Sequence, residues 1–159
     1  MPCFSPETLN RADWPLLRNG AVNLFSRRQD YAAAVVALGG LGYRMLLFRS
    51  GPEHFIDEMS AALKWREQFG YEPWSGGLDA FNDALRGEPF DSADDSAICI
   101  ENFQALVADD ETFARGLLDI IEYQSRQYLL FGKRLIALIH TQDQGFRCEG
   151  LGGRTVMSG

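Results

Sequence analysis

The sequence is poor in the residues that build disulfide-stabilised or zinc-binding domains. Its 159 residues include three cysteines, Cys3, Cys99 and Cys148, which are far apart and form no CxxC pair. This spacing predicts neither a disulfide framework nor a zinc site. The chain also lacks an apolar run of about 18 residues and a basic N-terminal segment followed by an apolar core. We therefore expect a protein of the reducing cytoplasm that does not bind membranes.

Basic residues are outnumbered by acidic ones. There are 15 Lys and Arg against 22 Asp and Glu, which gives a formal net charge of -7. Binding to nucleic acid requires clustered Lys and Arg that neutralise phosphates. The composition therefore argues against direct nucleic-acid binding, whereas an acidic surface can attract a basic protein.

Catalytic signatures are equally sparse. The only histidines are His54 and His140, and each is predicted to be structural or solvated. No serine, cysteine or lysine lies in a nucleophile motif such as GxSxG. The glycine-rich segments GGLGY and GLGGR do not lie between a strand and a helix, as a phosphate-binding loop requires. We expect no enzyme active site and no cofactor.

Apolar positions, in contrast, are abundant and distributed along most of the chain. The composition is 46% hydrophobic and 23% charged, which is typical of a globular domain. The segments AVNLF, RQDYAAAVVALGGLGY and RMLLF predict a strand, a helix and a parallel strand. Further along, the patterns predict helices over about 52–67 and 109–130 and strands at 97–101 and in LIALIH. We therefore predict an α/β fold with a mainly parallel sheet of about four strands packed with helices.

A short acidic helix interrupts this alternation within the segment YEPWSGGLDAFNDALRG, residues 71–87. If the helix runs from about 76 to 86, its spacing of about 100° per residue places Leu78, Phe81 and Leu85 on one apolar stripe. The two aspartates, Asp79 and Asp83, lie roughly 150° from that stripe. The helix should therefore be anchored by its apolar face and present both carboxylates outward.

The aspartate pair has more than one explanation. Like charges at positions i and i+4 cost a helix a few tenths of a kcal/mol. Ser75 can cap the helix and its dipole favours Asp79 in the first turn, but it disfavours Asp83 near the end. The pair could be a solvated acidic face or a recognition surface. Acid-base catalysis or Mg²⁺ binding is a third possibility, which would need further convergent ligands.

The same segment resembles the helix and preceding loop of the barstar family, whose members inhibit small secreted ribonucleases such as barnase. The family pattern is an aromatic-rich turn, a glycine and then Leu/Trp-Asp-Ala-Leu-x-Asp-x-Leu, which GLDAFNDAL matches with Phe81 in the Leu place. The resemblance covers about residues 41–141 and implies a barstar-like domain there. Residues 1–40 would be an added arm, strand and helix within the same compact unit, and 142–159 a flexible tail.

The resemblance also implies a function. Family members block the ribonuclease active site with this helix and loop, whose carboxylates face the basic groups that otherwise hold RNA phosphate. Asp79 and Asp83 would be the principal carboxylates, with Asp83 deepest in the partner and Glu122 on the long helix a candidate for a further acidic contact. The surrounding contact surface would comprise Tyr71, Trp74, Gly76, Gly77 and Asn82. The expected partner is a basic ribonuclease or another basic protein.

Overall fold

The computed structural model describes residues 13–17, 20–49, 51–71 and 74–142. The predicted N-terminal arm lies mostly outside these ranges, and the predicted tail lies outside them from residue 143 onward. Within them, helices and strands alternate along the chain. They are α1 (Trp14–Leu17), β1 (Val22–Phe25), α2 (Arg28–Gly40), β2 (Arg44–Phe48), α3 (Pro52–Ala62), α4 (Trp65–Phe69), α5 (Leu78–Gly87), β3 (Asp95–Ile100), α6 (Phe103–Asp109), α7 (Glu111–Leu129) and β4 (Arg134–His140).

The predicted helix over 52–67 is in fact two helices. Lys64 adopts a left-handed backbone conformation, with φ 52° and ψ 53°, and separates α3 from α4. The predicted long helix begins close to its expected position, because the side chain of Asp110 accepts a hydrogen bond from the backbone N–H of Phe113 at 3.1 Å. The separate helix α6 immediately before it was not predicted.

The four strands form one parallel sheet in the order β1-β4-β3-β2. This confirms the predicted α/β fold with a parallel sheet of four strands. The strands β1 and β2, which follow one another in the chain, lie at opposite edges rather than side by side. The connection through α2 therefore passes across the whole sheet, and the two central strands are the last two in the sequence.

Both faces of the sheet are covered by helices. The smaller apolar cluster includes residues of α1 and α2, and the larger one includes residues of α3 to α7. Successive residues of the central strands belong alternately to the two clusters, so both faces of these strands are buried. This explains why their sequences are continuous apolar runs. One face carries Ile98, Ile100, Leu135, Ala137 and Ile139, and the other carries Ala97, Cys99, Ile136 and Leu138.

A buried carboxylate joins the long helix to the edge strand β1. Glu122 is only 1% exposed. Its Oε2 atom accepts hydrogen bonds from the backbone N–H groups of Ala21 at 2.6 Å and Val22 at 3.2 Å. Glu122 is therefore not the surface contact suggested by the family resemblance. Its carboxylate instead holds the start of β1 inside the molecule.

Candidate functional site

The acidic helix α5 starts two residues later than the spacing suggested. Its N-cap is Gly77, with φ -71° and ψ 129°, and no side chain caps it, so the predicted cap by Ser75 is wrong. The preceding Gly76 has φ +92°, a conformation that residues with a side chain rarely adopt. Asp79 lies in the first turn, where the helix dipole favours a negative charge.

The apolar stripe of α5 is buried, as predicted. Phe81 and Leu85 are fully buried and Leu78 is partly buried. Leu78 lies so close to Gly116 of α7 that a Cβ atom at position 116 would collide with its Cδ1 atom. This close packing of α5 on α7 fixes the direction in which the opposite face of α5 points.

Trp74 packs beneath the loop that precedes α5 and is not part of the exposed surface. Its side chain is 1% exposed and its ring stacks on that of Phe81, with centroids 5.5 Å apart. The indole Nε1 donates a hydrogen bond to the carbonyl of Gly77 at 2.9 Å, and the backbone N–H donates to Ser60 Oγ at 2.8 Å. The expectation that the Trp74 side chain flanks the carboxylates is therefore wrong, because the ring fills the core beneath the loop.

The two carboxylates face solvent. Asp79 and Asp83 are exposed, and neither forms an ion pair or hydrogen bond with any side chain or backbone group in the described part of the chain. Tyr71, at the start of the preceding loop, is 52% exposed. Gly77 is exposed and Gly76 partly buried beside them. Apart from Trp74, the predicted surface residues are therefore at least partly accessible.

Asn82 is held in a defined orientation. Its Oδ1 atom accepts a hydrogen bond from Nε2 of Gln124 on α7 at 2.8 Å. The amide oxygen keeps a second lone pair, so Asn82 can offer a ligand both its NH₂ donor and that remaining acceptor site. The sequence did not reveal this contact, since the two residues are 42 positions apart.

Arg86 brings a positive charge to the same side of α5. It lies three residues after Asp83 and four after Asn82, and it is exposed. It makes no ion pair within the described ranges. Sequence reasoning missed it, although the spacing of about 100° per residue that placed the aspartates outward also places Arg86 there.

A cavity of about 460 Å³ opens beside this face, between α5 and α7. Its lining combines side chains of both helices with aromatic residues that follow each of them. These residues are Asn82, Arg86, Phe90, Tyr123, Gln124, Gln127, Tyr128 and Phe131.

The remaining candidate groups for catalysis are used structurally or are exposed. His140 is 2% exposed and its Nδ1 atom accepts a hydrogen bond from the backbone N–H of Asn102 at 3.2 Å, whereas His54 is exposed on α3. Burial raises the pKa of the Cys99 thiol to about 12, which keeps it protonated and unreactive near neutral pH. In the described ranges, no group of three or more His, Cys, Asp or Glu side chains could hold a metal ion.

No family model, curated protein or solved structure matches the chain. Among the helices of the described ranges, none combines the length and the apolar character needed to cross a membrane.

Proposed function

We propose that this chain is a barstar-like, immunity-type inhibitor of the bacterial cytoplasm, which binds a basic ribonuclease and blocks its active site. The observation that carries the proposal is the pair of unpaired, exposed carboxylates on α5, Asp79 and Asp83. The resemblance of GLDAFNDAL to the family's inhibitory helix supports the choice of partner. No cofactor is required, because blocking is stoichiometric.

The support for this helix is rigid. Phe81, Ala84 and Leu85 are fully buried, and Trp74 packs beneath Phe81. Little conformational freedom of the α5 backbone then remains to be lost when a partner binds, which favours affinity. The carboxylates are exposed in the free protein, and a cationic site in a partner can pair with them on binding, which favours the correct partner and speeds association.

The charge arrangement also restricts the partner. The -7 net charge favours encounter with a basic protein, and Asp79 and Asp83 provide two local anchors for its cations. Arg86 on the same side requires the partner either to leave it in water or to place an acceptor opposite it. A ribonuclease active site holds phosphate with several cations. It therefore provides both the basic surface that the net charge favours and the cations with which Asp79 and Asp83 can pair.

The first experiment is capture from host lysate and culture medium with the wild-type chain beside Asp83→Arg, followed by mass spectrometry. We expect a basic ribonuclease to be retained by the wild type and lost by the variant, and the purified pair to show stoichiometric inhibition of RNA cleavage. An Asp83-dependent partner that is not a ribonuclease would refute inhibition but retain α5 as the recognition helix.

Affinity measurements on the captured ribonuclease then test the site. Asp83→Ala should weaken binding by about 30-fold or more, since truncating one member of a buried charge pair costs roughly 2–5 kcal/mol. The matched control is Asp30→Ala, which removes the same charge from the exposed side of α2 on the opposite face of the sheet. Equal losses in both variants would mean that net charge, and not this helix, determines binding.

A further inference from the structure

The cavity between α5 and α7 has aromatic walls. The rings of Phe90 and Phe131 meet edge to face with centroids 5.4 Å apart, and Phe90 meets Tyr128 in the same way at 5.0 Å. Phe131 is 70% exposed although it lines the cavity. The volume of about 460 Å³ falls within the range of roughly 300–1,000 Å³ that is typical of small-molecule sites.

The polar groups of the cavity favour an anionic ligand. Arg86 contributes a guanidinium that makes no ion pair within the described ranges, and none of the lining residues is acidic. Asn82 adds an NH₂ donor, and the hydrogen bond from Gln124 to its oxygen holds the amide in place. A guanidinium binds a carboxylate through two parallel hydrogen bonds, and aromatic walls favour a planar ring in offset or edge-to-face contact.

The nearby aspartates limit the charge that the cavity can accept. Asp83 lies one helical turn before Arg86, and Asp79 lies on the same exposed side. A phosphate monoester, with a charge of roughly -1.5 to -2 near neutral pH, is repelled more strongly by these carboxylates than a single carboxylate is. A ligand with one negative charge meets less repulsion from Asp79 and Asp83 and can still pair with Arg86.

We propose that this cavity binds a small planar aromatic carboxylate, with its ring against Phe90 and Phe131 and its carboxylate on Arg86. The cavity shares Asn82 with the proposed ribonuclease contact surface but does not include Asp79 or Asp83, and the proposal does not rest on that function. The same chemistry occurs in free aromatic acids and in a peptide that ends in an aromatic residue.

Titration calorimetry of the full chain, without any ribonuclease, tests the proposal with 2-naphthoate as the ligand. We expect saturable binding that is at least about tenfold weaker for the uncharged analogue 2-naphthalenemethanol and for naphthyl phosphate. Arg86→Gln and Phe131→Ala should each weaken 2-naphthoate binding by about tenfold or more. N-acetylphenylalanine, with its free carboxylate, separates the two sources: tighter binding than 2-naphthoate assigns the site to a peptide C-terminus, and weaker binding to a free acid.

Matched controls distinguish the cavity from unspecific effects. Arg49→Gln removes an exposed arginine outside the cavity, and Leu130→Ala truncates the exposed neighbour of Phe131. Both controls should bind like the wild type. Asp83→Ala should keep or increase the affinity for 2-naphthoate. Because the same variant should weaken ribonuclease binding, the two proposals can be refuted independently.

Three results would overturn the proposal. They are the absence of saturable binding by any of these carboxylates, equal affinity for the alcohol, and unchanged affinity in Arg86→Gln. Arg86→Gln should retain the wild-type unfolding midpoint because Arg86 is exposed, and Phe131→Ala should lower it only slightly, through the loss of its ring contact with Phe90; a thermal melt checks both.

Discussion

His140 lies at the end of β4, where its Nδ1 atom accepts the backbone N–H of Asn102 and its ring packs 5.9 Å from that of Tyr31. A nitrogen that accepts a hydrogen bond cannot carry a proton, so the contact selects the neutral ring with its proton on Nε2. Burial lowers the pKa of His140, the positive charge of Arg28 lowers it further, and the negative charge of Glu101 partly opposes them. The residue is therefore adapted to holding the start of α6 rather than to proton transfer.

This lowered pKa predicts how stability depends on pH. Below about pH 6.5, the ordinary value for histidine, the unfolded chain takes up a proton at His140 before the folded chain does. The contribution of His140 is thus present above that pH and is lost as the pH falls toward the folded pKa. Urea unfolding of the wild type between pH 7.5 and 5 should show this decline, and His140→Gln should lack it.

The control for the pH series is His54→Gln, which removes an exposed histidine from α3. It should reproduce the wild-type decline in the free energy of unfolding. If all three proteins lose stability in parallel, His140 does not determine the slope.

At the scale of secondary-structure elements, the contact between α5 and α7 positions the candidate site. Gly116 allows Leu78 to approach the backbone of α7, and Asn82 and Gln124 are hydrogen-bonded further along the same pair of helices. One contact sets the distance between the helices and the other orients a polar side chain on the exposed surface. A substitution at Gly116 should therefore alter the position of the exposed face of α5, although Gly116 itself lies on α7.

We predict that Gly116→Ala lowers the free energy of unfolding by about 1 kcal/mol. Alanine is favoured over glycine in a helix by roughly 1 kcal/mol, but overpacking against Leu78 costs roughly 1–3 kcal/mol. In a Leu78→Ala background the collision is absent, so the same substitution should be stabilising. Chemical denaturation of the four proteins measures both effects, and the same sign in both backgrounds would contradict the proposed close contact.

At the scale of the whole molecule, the edge strand β1 is held by two kinds of interaction. It pairs with β4 in parallel register, and Glu122 accepts the backbone N–H groups of Ala21 and Val22 at its start. A buried carboxylate that satisfies two backbone donors is costly to remove, because a buried donor left without an acceptor loses the hydrogen bond that it makes with water in the unfolded chain. Glu122 therefore couples the first strand to the longest helix.

Replacing Glu122 by alanine should reduce the free energy of unfolding by roughly 1–3 kcal/mol for each N–H group left without an acceptor. Glu122→Gln keeps an oxygen acceptor and should recover part of this loss. Urea unfolding followed both by circular dichroism and by tryptophan fluorescence measures the change and reports whether the transition remains cooperative. A Glu122→Ala protein as stable as the wild type would show that this link is dispensable.

How far a feature of this protein follows from its sequence depends on the sequence separation of the residues that form it. The apolar stripe of α5 and the outward position of Asp79 and Asp83 were predicted correctly, since helical spacing is a property of one segment. The cap at Ser75 was wrong, because the position of Gly76 in a left-handed turn moved the helix start to Leu78. Trp74 was misplaced, since burial of an aromatic ring depends on what packs around it.

The fold class, the apolar face of α5 and the exposure of the two carboxylates follow from the sequence, because residue periodicity encodes which side of a segment avoids water. The strand order, the buried role of Glu122 and the cavity beside Arg86 depend instead on tertiary packing. These features arise where segments distant in sequence meet. Each of them depends on how those segments are placed relative to one another, which the pattern of a single segment does not specify.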